Sequence, residues 1–479
     1  MLVAGVDSST QSTKVLLCRP EDGAIVGQAA APHPDGTECD PELWWKALAR
    51  AGDGLLDRAD AIGVAAQQHG MVVLDSDGQV IRPALLWNDV RSAPQAAALT
   101  TEMGGPLWWA RQTGSVPTAS FTVTKLRWLA EHEPGAATST AQVMLPHDWL
   151  TWRLAGRAGQ PATDRGDASG TGYSSPAAGR WLPGITEAAL GKPVRLPRLA
   201  APAEIVARTA SGAALSAGTG DNMGAALGLG LGLGHVVVSI GTSGTVYAVA
   251  AEPAADASGA VAGFADATGR FLPLVATINA ARVLTVTARM LGTDPGGLSS
   301  LALAAPPGAQ GLTLLPYLDG ERSPNRPGAN GVLRGLTSTN TTPENLARAA
   351  VEAVLCSLAD AIDNLAGCGI TARRVILIGG AARSEAVRRI APAIFGMPVT
   401  VPEPAEYVAL GAARQAAWAL SGASGPPEWP LGGPSAEYTA DPVPLVRQRY
   451  GALRDATAGW DRTGSCDDEA PGGEGHDGP

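Results

Sequence analysis

The residues best equipped for chemistry lie between Ser216 and Tyr247. Gly218-Thr-Gly220 is followed by Asp221-Asn222 and an apolar run, so a carboxylate opens a helix where two glycines permit close approach. Further on, Val236-Val-Val-Ser-Ile240 reads as a strand, Gly241-Thr242-Ser243-Gly244 as a small hydroxyl-bearing turn, and Thr245-Val-Tyr247 as the strand that leaves it. Such a turn exposes backbone N–H groups with little bulk, as phosphate binding requires. A carboxylate facing that phosphate can take the proton of an attacking hydroxyl. A helix cap followed by a plain hairpin accounts for the same residues, so the rest of the chain must decide.

The elements that would position these groups occur twice. Residues 2–6 read as a buried strand and Lys14–Cys18 as its partner, with Asp7-Ser8-Ser-Thr10-Gln-Ser12-Thr13 as a hydroxyl-rich turn between them. Strand, small polar turn, strand is the pattern of 236–247. The repeat predicts two domains, each opening with a hairpin whose tip faces a shared ligand. A chain of 479 residues also exceeds what one hydrophobic core usually serves.

Composition narrows the class. Hydrophobic residues make up 45% and charged residues 17%, as in globular proteins, and the net charge of −10 with no basic run argues against nucleic acid as partner. The five cysteines, Cys18, Cys39, Cys356, Cys368 and Cys466, have no metal-type spacing and suit a reducing compartment. Asp7 stands where a signal peptide needs its apolar centre, and the Leu/Gly run at 227–234 is too short to span a bilayer. The expectation is a cytoplasmic protein without membrane partners.

Other polar groups sit at the ends of predicted elements. Asp40-Pro41-Glu42 is a helix start. The strand 61–65 ends in Gln67-Gln68-His69-Gly70, and Leu86-Trp87-Asn88-Asp89 with Arg91 follows; a polar pocket is one reading of His69, a structural histidine the other. The span 125–154 reads as helical, broken at Glu133-Pro134 and resumed at His147. Thr163–Thr171 reads as a loop whose two acids are too few for a calcium loop. Tyr317–Arg322 is a charged loop behind an apolar strand, and Thr342-Pro343-Glu344 starts a helix with Val351, Val354, Leu355, Leu358, Ile362 and Leu365 as its buried stripe. Arg374–Ile378 is an apolar strand running into Gly379-Gly380-Ala381 and a helix, and the helix at Tyr407-Val-Ala-Leu-Gly411 has the small residues of close packing. The Pro-rich segment 425–444 reads as extended and the acidic, Gly-rich tail 463–479 as disordered.

From about Leu2 to Tyr450 the chain resembles the FGGY carbohydrate kinases. Gly5-Val-Asp7-Ser-Ser-Thr-Gln-Ser-Thr-Lys14 is similar to that family's first phosphate hairpin and Ser239–Gly244 to its second. Gly220-Asp221-Asn222 resembles the motif of its catalytic aspartate, and Leu377–Ser384 its adenosine motif. Asp40-Pro-x-x-Trp44-Trp45, Gln68-His69-Gly70, Leu86-Trp87-Asn88-Asp89 and Leu315–Arg322 resemble the xylulokinase branch more than the glycerol kinase branch. The first hairpin departs from the commoner Asp-x-Gly-Thr, and Gln68 stands where Met often precedes the histidine.

The resemblance implies an α/β fold of two ribonuclease-H-like domains of the actin/hexokinase/Hsp70 type around a central cleft. It assigns 1–233 to sugar and 234–462 to nucleotide. It also implies ATP and Mg²⁺, Asp7 for the metal, and Asp221 as the base that activates the terminal hydroxyl of D-xylulose. Gln68, His69, Asp221, Asn222, Trp87 and Asn88 would hold the sugar. Ser8, Thr10, Ser12, Thr13, Lys14, Gly241, Thr242, Ser243, Gly379, Gly380, Ala381 and Ser384 would hold the nucleotide. A homodimer is compatible with this. Ribulose, gluconate and glycerol kinases, a sugar-responsive regulator and an actin-like ATPase are the alternatives; the lack of a helix-turn-helix ahead of Asp7 counts against the regulator, and Gln68-His69 with Asp221 against the ATPase.

Overall fold

A computed structural model of the protein describes residues 1–430 and 435–460. The tail 463–479 and the centre of the Pro-rich segment lie outside the described residues.

The first sheet begins with β1 (Val3–Ser8), β2 (Ser12–Cys18) and β3 (Ile25–Pro32), and is completed by β4 (Ala61–Ala66), β5 (Ile205–Arg208), β6 (Ala214–Ser216) and β7 (Thr219–Gly220). Its order is β5-β6-β4-β1-β2-β3, with β7 also beside β4. β1 and β4 are buried along their whole length, which is why their sequences are apolar or small until the polar residues at their ends. The second sheet comprises β8 (His235–Ile240), β9 (Gly244–Ala248), β10 (Ala262–Ala265), β11 (Phe271–Thr277), β12 (Arg374–Ile378), β13 (Val399–Val401) and β14 (Ala436–Tyr438), in the order β10-β11-β9-β8-β12-β13-β14.

The repeat seen in the sequence is a repeat of topology. β1 runs antiparallel to β2 and parallel to β4; β8 runs antiparallel to β9 and parallel to β12. In both sheets an antiparallel hairpin is joined through its first strand to a parallel strand from later in the chain, β3-β2-β1-β4 in one and β11-β9-β8-β12 in the other, the ribonuclease-H-like arrangement twice over. Helices flank these sheets. Pro41–Gly52 starts at Asp40, whose carboxylate accepts from the Glu42 N–H at 3.0 Å. Pro343–Gly367 buries the predicted stripe from Val351 to Leu365 in the core of the second sheet.

The small-residue helix is Tyr407–Ser421, and it crosses from the second half of the chain to cover β1, β4 and the helix Asp221–Gly228. A methyl group on Gly5 would lie 1.9 Å from the Ala409 carbonyl oxygen, and one on Gly63 2.1 Å from that of Ala412. No side chain fits there, so glycine in the strand is the condition for this helix to dock.

Two expectations need correcting. The span 125–154 is not helical throughout: Thr122–His132 and Pro134–Ser139 are followed by the strand Gln142–Met144 and then Pro146–Leu154. Three strand residues are too few to show alternation. Thr163–Thr171 is not a loop but the strand Ala162–Asp164 and the short helix Arg165–Ser169, whose first N–H groups are capped by Asp164. The glycine turn after β12 first forms a 3₁₀ turn, Gly380–Arg383, before the helix Glu385–Phe395. Among the described residues no helix is long and apolar enough to cross a membrane.

Candidate active site

Parallel pairing delivers the key polar groups to one edge. Ser8 of β1 and Gly220 of β7 both register with Ala66 of β4, so Asp7, Gln67-Gln68 and Asp221 emerge together at the carboxyl ends of neighbouring strands. This is where open α/β sheets place their ligands. β8 and β12 do the same in the second sheet, delivering Gly241–Gly244 and Gly379–Ala381 side by side.

Asp221 is the first residue of its helix, and Gly220, not Asp221, is the N-cap. Its Oδ1 accepts from the Asn222 N–H at 2.8 Å and from Asn222 Nδ2 at 3.0 Å; Nδ2 also donates to Gln68 Oε1 at 3.0 Å. The sequence alone suggests that the helix dipole keeps this acid readily ionised. Burial, followed by the charges of Asp7 and Asp167, outweighs the dipole and pushes its pKa up to about 7. Asp221 retains partial exposure, so a substrate can reach it.

His69 is fixed from several sides. Its φ is +66°, and its Nδ1–H donates to the Gly170 carbonyl at 2.6 Å, leaving Nε2 as the acceptor. The ring lies against Phe121 and Phe264, with centroids 4.9 and 5.8 Å away. Burial, helped by the positive charges of Lys125 and Arg322, pushes its pKa down to about 3, so the imidazole is neutral. Lys125, fully buried, donates to the carbonyls of His69 at 2.8 Å and Ser120 at 2.7 Å. Arg322 reaches over from the second half of the chain and donates to Ser120 Oγ at 2.6 Å.

The two hairpin tips differ in exposure. Asp7 is buried, accepts from Ser9 Oγ, and has its pKa raised to about 6 by burial despite Ser9 and Lys14. Ser8 and Thr13 face inward, and Thr13 Oγ1 meets His33 Nε2 at 2.8 Å, so these two brace the hairpin from within. Ser12 is partly exposed near the tip. Thr10 Oγ1 accepts from Trp87 Nε1 at 2.8 Å, and Asn88 Nδ2 donates to the Gly36 carbonyl at 3.2 Å. Lys14 pairs with Glu406 at 2.5 Å. In the second tip Gly241, Thr242 and Ser243 keep exposure. The Ala281 N–H donates to the Gly241 carbonyl at 2.9 Å, and Glu321 accepts from the Ile278 N–H at 2.7 Å. Gly379 has φ +92° and sits against the Ile240 backbone, where a side chain would collide. Gly380 is exposed, Ala381 partly so, and Ser384 is the N-cap of the following helix.

The N-terminal domain model of the FGGY family of carbohydrate kinases matches residues 2–230, and the C-terminal domain model matches 236–420. The chain belongs to the FGGY family of carbohydrate kinases. It is thus an ATP-dependent sugar kinase built on the actin/hexokinase-like fold. The xylulose kinase of Streptomyces coelicolor is 46% identical over 438 residues, covering 88% of this chain and 88% of its own. The crystal structure of xylulose kinase from Bifidobacterium adolescentis superposes with a TM-score of 0.89 at 44% identity, covering 95% of this chain and 99% of that one. Plasmodium falciparum glycerol kinase with ADP shares the fold alone, at 17% identity, a TM-score of 0.83 and coverage of 97% and 99%.

For this FGGY kinase, sequence reasoning missed Lys125, Ser120 and the inner group around His147. Lys125 had a signal: it stands on the apolar stripe of its helix beside Leu126 and Leu129. The partnership of His147 and Asp167 had none, because it depends on folding the helix Pro146–Leu154 against Arg165–Ser169.

Proposed function

We propose that this FGGY kinase transfers the γ-phosphoryl group of ATP to the terminal hydroxyl of D-xylulose, with Asp221 as the general base. The observation that carries the reading is the hydrogen-bonded group Asp221–Asn222–Gln68 beside the neutral acceptor His69, at the edge where Asp7 also emerges. Support for the sugar comes from the 46% identity to a protein named xylulose kinase across most of both chains.

A sugar hydroxyl is a poor nucleophile because almost none of it is ionised at neutral pH. Asp221 orients it and takes its proton as the new P–O bond forms. A pKa of about 7 leaves the carboxylate a stronger proton acceptor than an exposed aspartate, yet still substantially ionised. Gln68, His69, Asn222, Trp87 and Asn88 position the sugar. Thr10, Ser12 and Lys14 on one tip, and Gly241, Thr242 and Ser243 on the other, line the phosphate path, while the buried Ser8 and Thr13, expected to touch the nucleotide, shape the first tip from within. Gly379, Gly380, Ala381 and Ser384 hold the nucleoside side.

Mg²⁺ would be held by Asp7. The fit is that of a single carboxylate at a strand end: among the described residues no cluster of three or more His, Cys, Asp or Glu side chains is built to cage a metal. Magnesium keeps most of its waters and needs only one or two protein carboxylates with the phosphates. When bound, it neutralises charge building on the phosphoryl group. The protein is taken to work in the cytoplasm, with its sugar and ATP as partners and a homodimer as its assembly.

The test is a coupled ADP assay over ketoses, aldonates and polyols. D-Xylulose should give the highest kcat/KM; glycerol or gluconate outcompeting it would refute the substrate while leaving the kinase in place.

A further inference from the structure

Behind Asp221 and Gln68 lies a buried polar group that the reaction as described does not use. His147 and Asp167 are both wholly buried, and His147 Nδ1–H donates to Asp167 Oδ2 at 2.6 Å. His147 Nε2 lies 3.2 Å from Asp148 Oδ1, also buried. Burial alone would lower the histidine's pKa, but Asp148 and Asp167 raise it to about 9, so an imidazolium grips Asp167. A charged histidine sealed at this depth is costly unless its partners need it.

Beside the His147 Nε2–Asp148 Oδ1 ion pair, two further buried atoms lack a hydrogen-bond partner, and they are complementary. Asp167 Oδ1 is buried and accepts no hydrogen bond; Gln68 Nε2 is buried and donates none. Both residues border Gly220: a methyl group there would lie 3.2 Å from Asp167 Oδ1 and 3.1 Å from Gln68 Cδ. A methyl group on Gly170, the C-cap of the short helix that carries Asp167, would lie 3.2 Å from Gln68 Nε2, just beyond the His69 ring. The other end of the amide is committed, because Oε1 accepts from Asn222 Nδ2 at 3.0 Å.

We propose that Asp167, gripped by His147, is a positioning residue that fixes the amide of Gln68 for the sugar. With Oε1 committed to Asn222, Nε2 is the end of the amide free to donate, and Asp167 Oδ1, on the other side of Gly220, is an acceptor without a donor. Turned over, a donor would meet the donor of Asn222 and an acceptor would meet a carboxylate, both repulsive. The charge on Asp167 thereby selects one of two otherwise similar orientations. Asn222 carries that selection to Asp221, so the sugar meets one fixed pattern of donors and acceptors. The inference rests on the sugar-kinase reading and adds a residue to it.

A double-mutant cycle on sugar KM tests this. Asp167→Asn should raise the KM for D-xylulose about tenfold, as expected when a buried amide that binds the sugar loses its preferred orientation, with the KM for ATP within about twofold of wild type. In a Gln68→Ala background the same change should alter sugar KM by less than about twofold, because the residue acted upon is gone. Equal cost in both backgrounds overturns the proposal. If Asp167→Asn does not fold, the wild type decides through the downfield proton of the His147–Asp167 hydrogen bond, assigned by its loss in His147→Gln. Saturating D-xylulose without ATP should shift that resonance; an unmoved one overturns the proposal. Should wild type prefer another sugar of the panel, the substrate reading has failed and the same cycle is run with that sugar.

Discussion

One amide nitrogen, Asn222 Nδ2, donates both to Oδ1 of Asp221 and to Oε1 of Gln68, each at 3.0 Å. The proposed base and a proposed sugar ligand are therefore one hydrogen-bonded unit, although their residue numbers are far apart. β7 and β4 pair in parallel register, and this sets the two side by side.

Replacing Asp221 by Asn keeps the shape and removes the proton acceptor. The helix loses no cap, since Gly220 holds that position. Asp221→Asn should fold as wild type by circular dichroism and bind sugar by calorimetry, while kcat falls by roughly 10²–10⁴-fold. Turnover within a few-fold of wild type would reduce Asp221 to a structural role.

The same carboxylate predicts a pH profile. Burial and the charges of Asp7 and Asp167 push its pKa up to about 7, and the ionised form is the active one. The kcat/KM for sugar should therefore fall as pH drops below about 7, by roughly tenfold per pH unit once well below it. A profile flat down to pH 5 would contradict either the assignment of the base or its acidic surroundings.

Much of this was legible in the sequence, and the limits are physical. Strand ends and tips such as Asp7–Thr13 and Gly241–Gly244 show because apolar runs stop abruptly at small polar residues. The Thr342 helix start shows because its signals are local: the Thr342 side chain accepts from Asn345 N–H at 3.3 Å. What crosses the chain does not show. The smallness of Gly411 announced a close contact but not its partner. Asp164 and Asp167 looked like loop acids because their meaning comes from Thr219 and His147, which only the fold brings near.

His69 separates sugar from nucleotide. Its Nε2 is a neutral acceptor held in place through Nδ1, Phe121 and Phe264. His69→Ala should raise the sugar KM about 5–150-fold, the equivalent of one lost partner for a buried hydroxyl, and leave the KM for ATP nearly unchanged. Because burial holds its pKa down to about 3, sugar KM in wild type should show no histidine titration between pH 5 and 8. A step near pH 6.5 that vanishes in His69→Ala would refute the buried, neutral ring.

Gly411 is a prediction about stability. Alanine normally favours a helix interior by about 1 kcal/mol over glycine. Here a methyl group would sit 1.8 Å from the Gly224 carbonyl oxygen and 2.9 Å from the Gly228 nitrogen. The two helices must then part, at a cost typical of overpacking, about 1–3 kcal/mol or more. Gly411→Ala should lower the melting temperature by several degrees and also reduce kcat, since the displaced helix begins at Asp221. An equal or higher melting temperature would show that the helices have room between them.

Closure of the cleft is the last prediction, and two contacts make it specific. Arg322 Nη2 reaches Ser120 Oγ at 2.6 Å, and Lys14 pairs with Glu406 at 2.5 Å, so each half of the chain already touches the other near the proposed sugar and phosphate positions. Ser120 also holds Lys125 through its carbonyl, and Lys125 holds the carbonyl of His69. A sugar that stiffens the His69 shelf would thus stiffen the platform on which Arg322 lands, while a triphosphate between the tips draws on both hairpins. Shutting the cleft would exclude water and suppress hydrolysis of ATP without sugar. Small-angle scattering should give a smaller radius of gyration with D-xylulose plus a non-hydrolysable ATP analogue than with either alone. Ser120→Ala, which removes the landing point without touching the base, should weaken that compaction and raise the sugar-independent ATPase relative to kinase turnover. A radius that does not change with both ligands, together with an unaltered ATPase ratio in Ser120→Ala, would mean that these contacts merely decorate a cleft of fixed width.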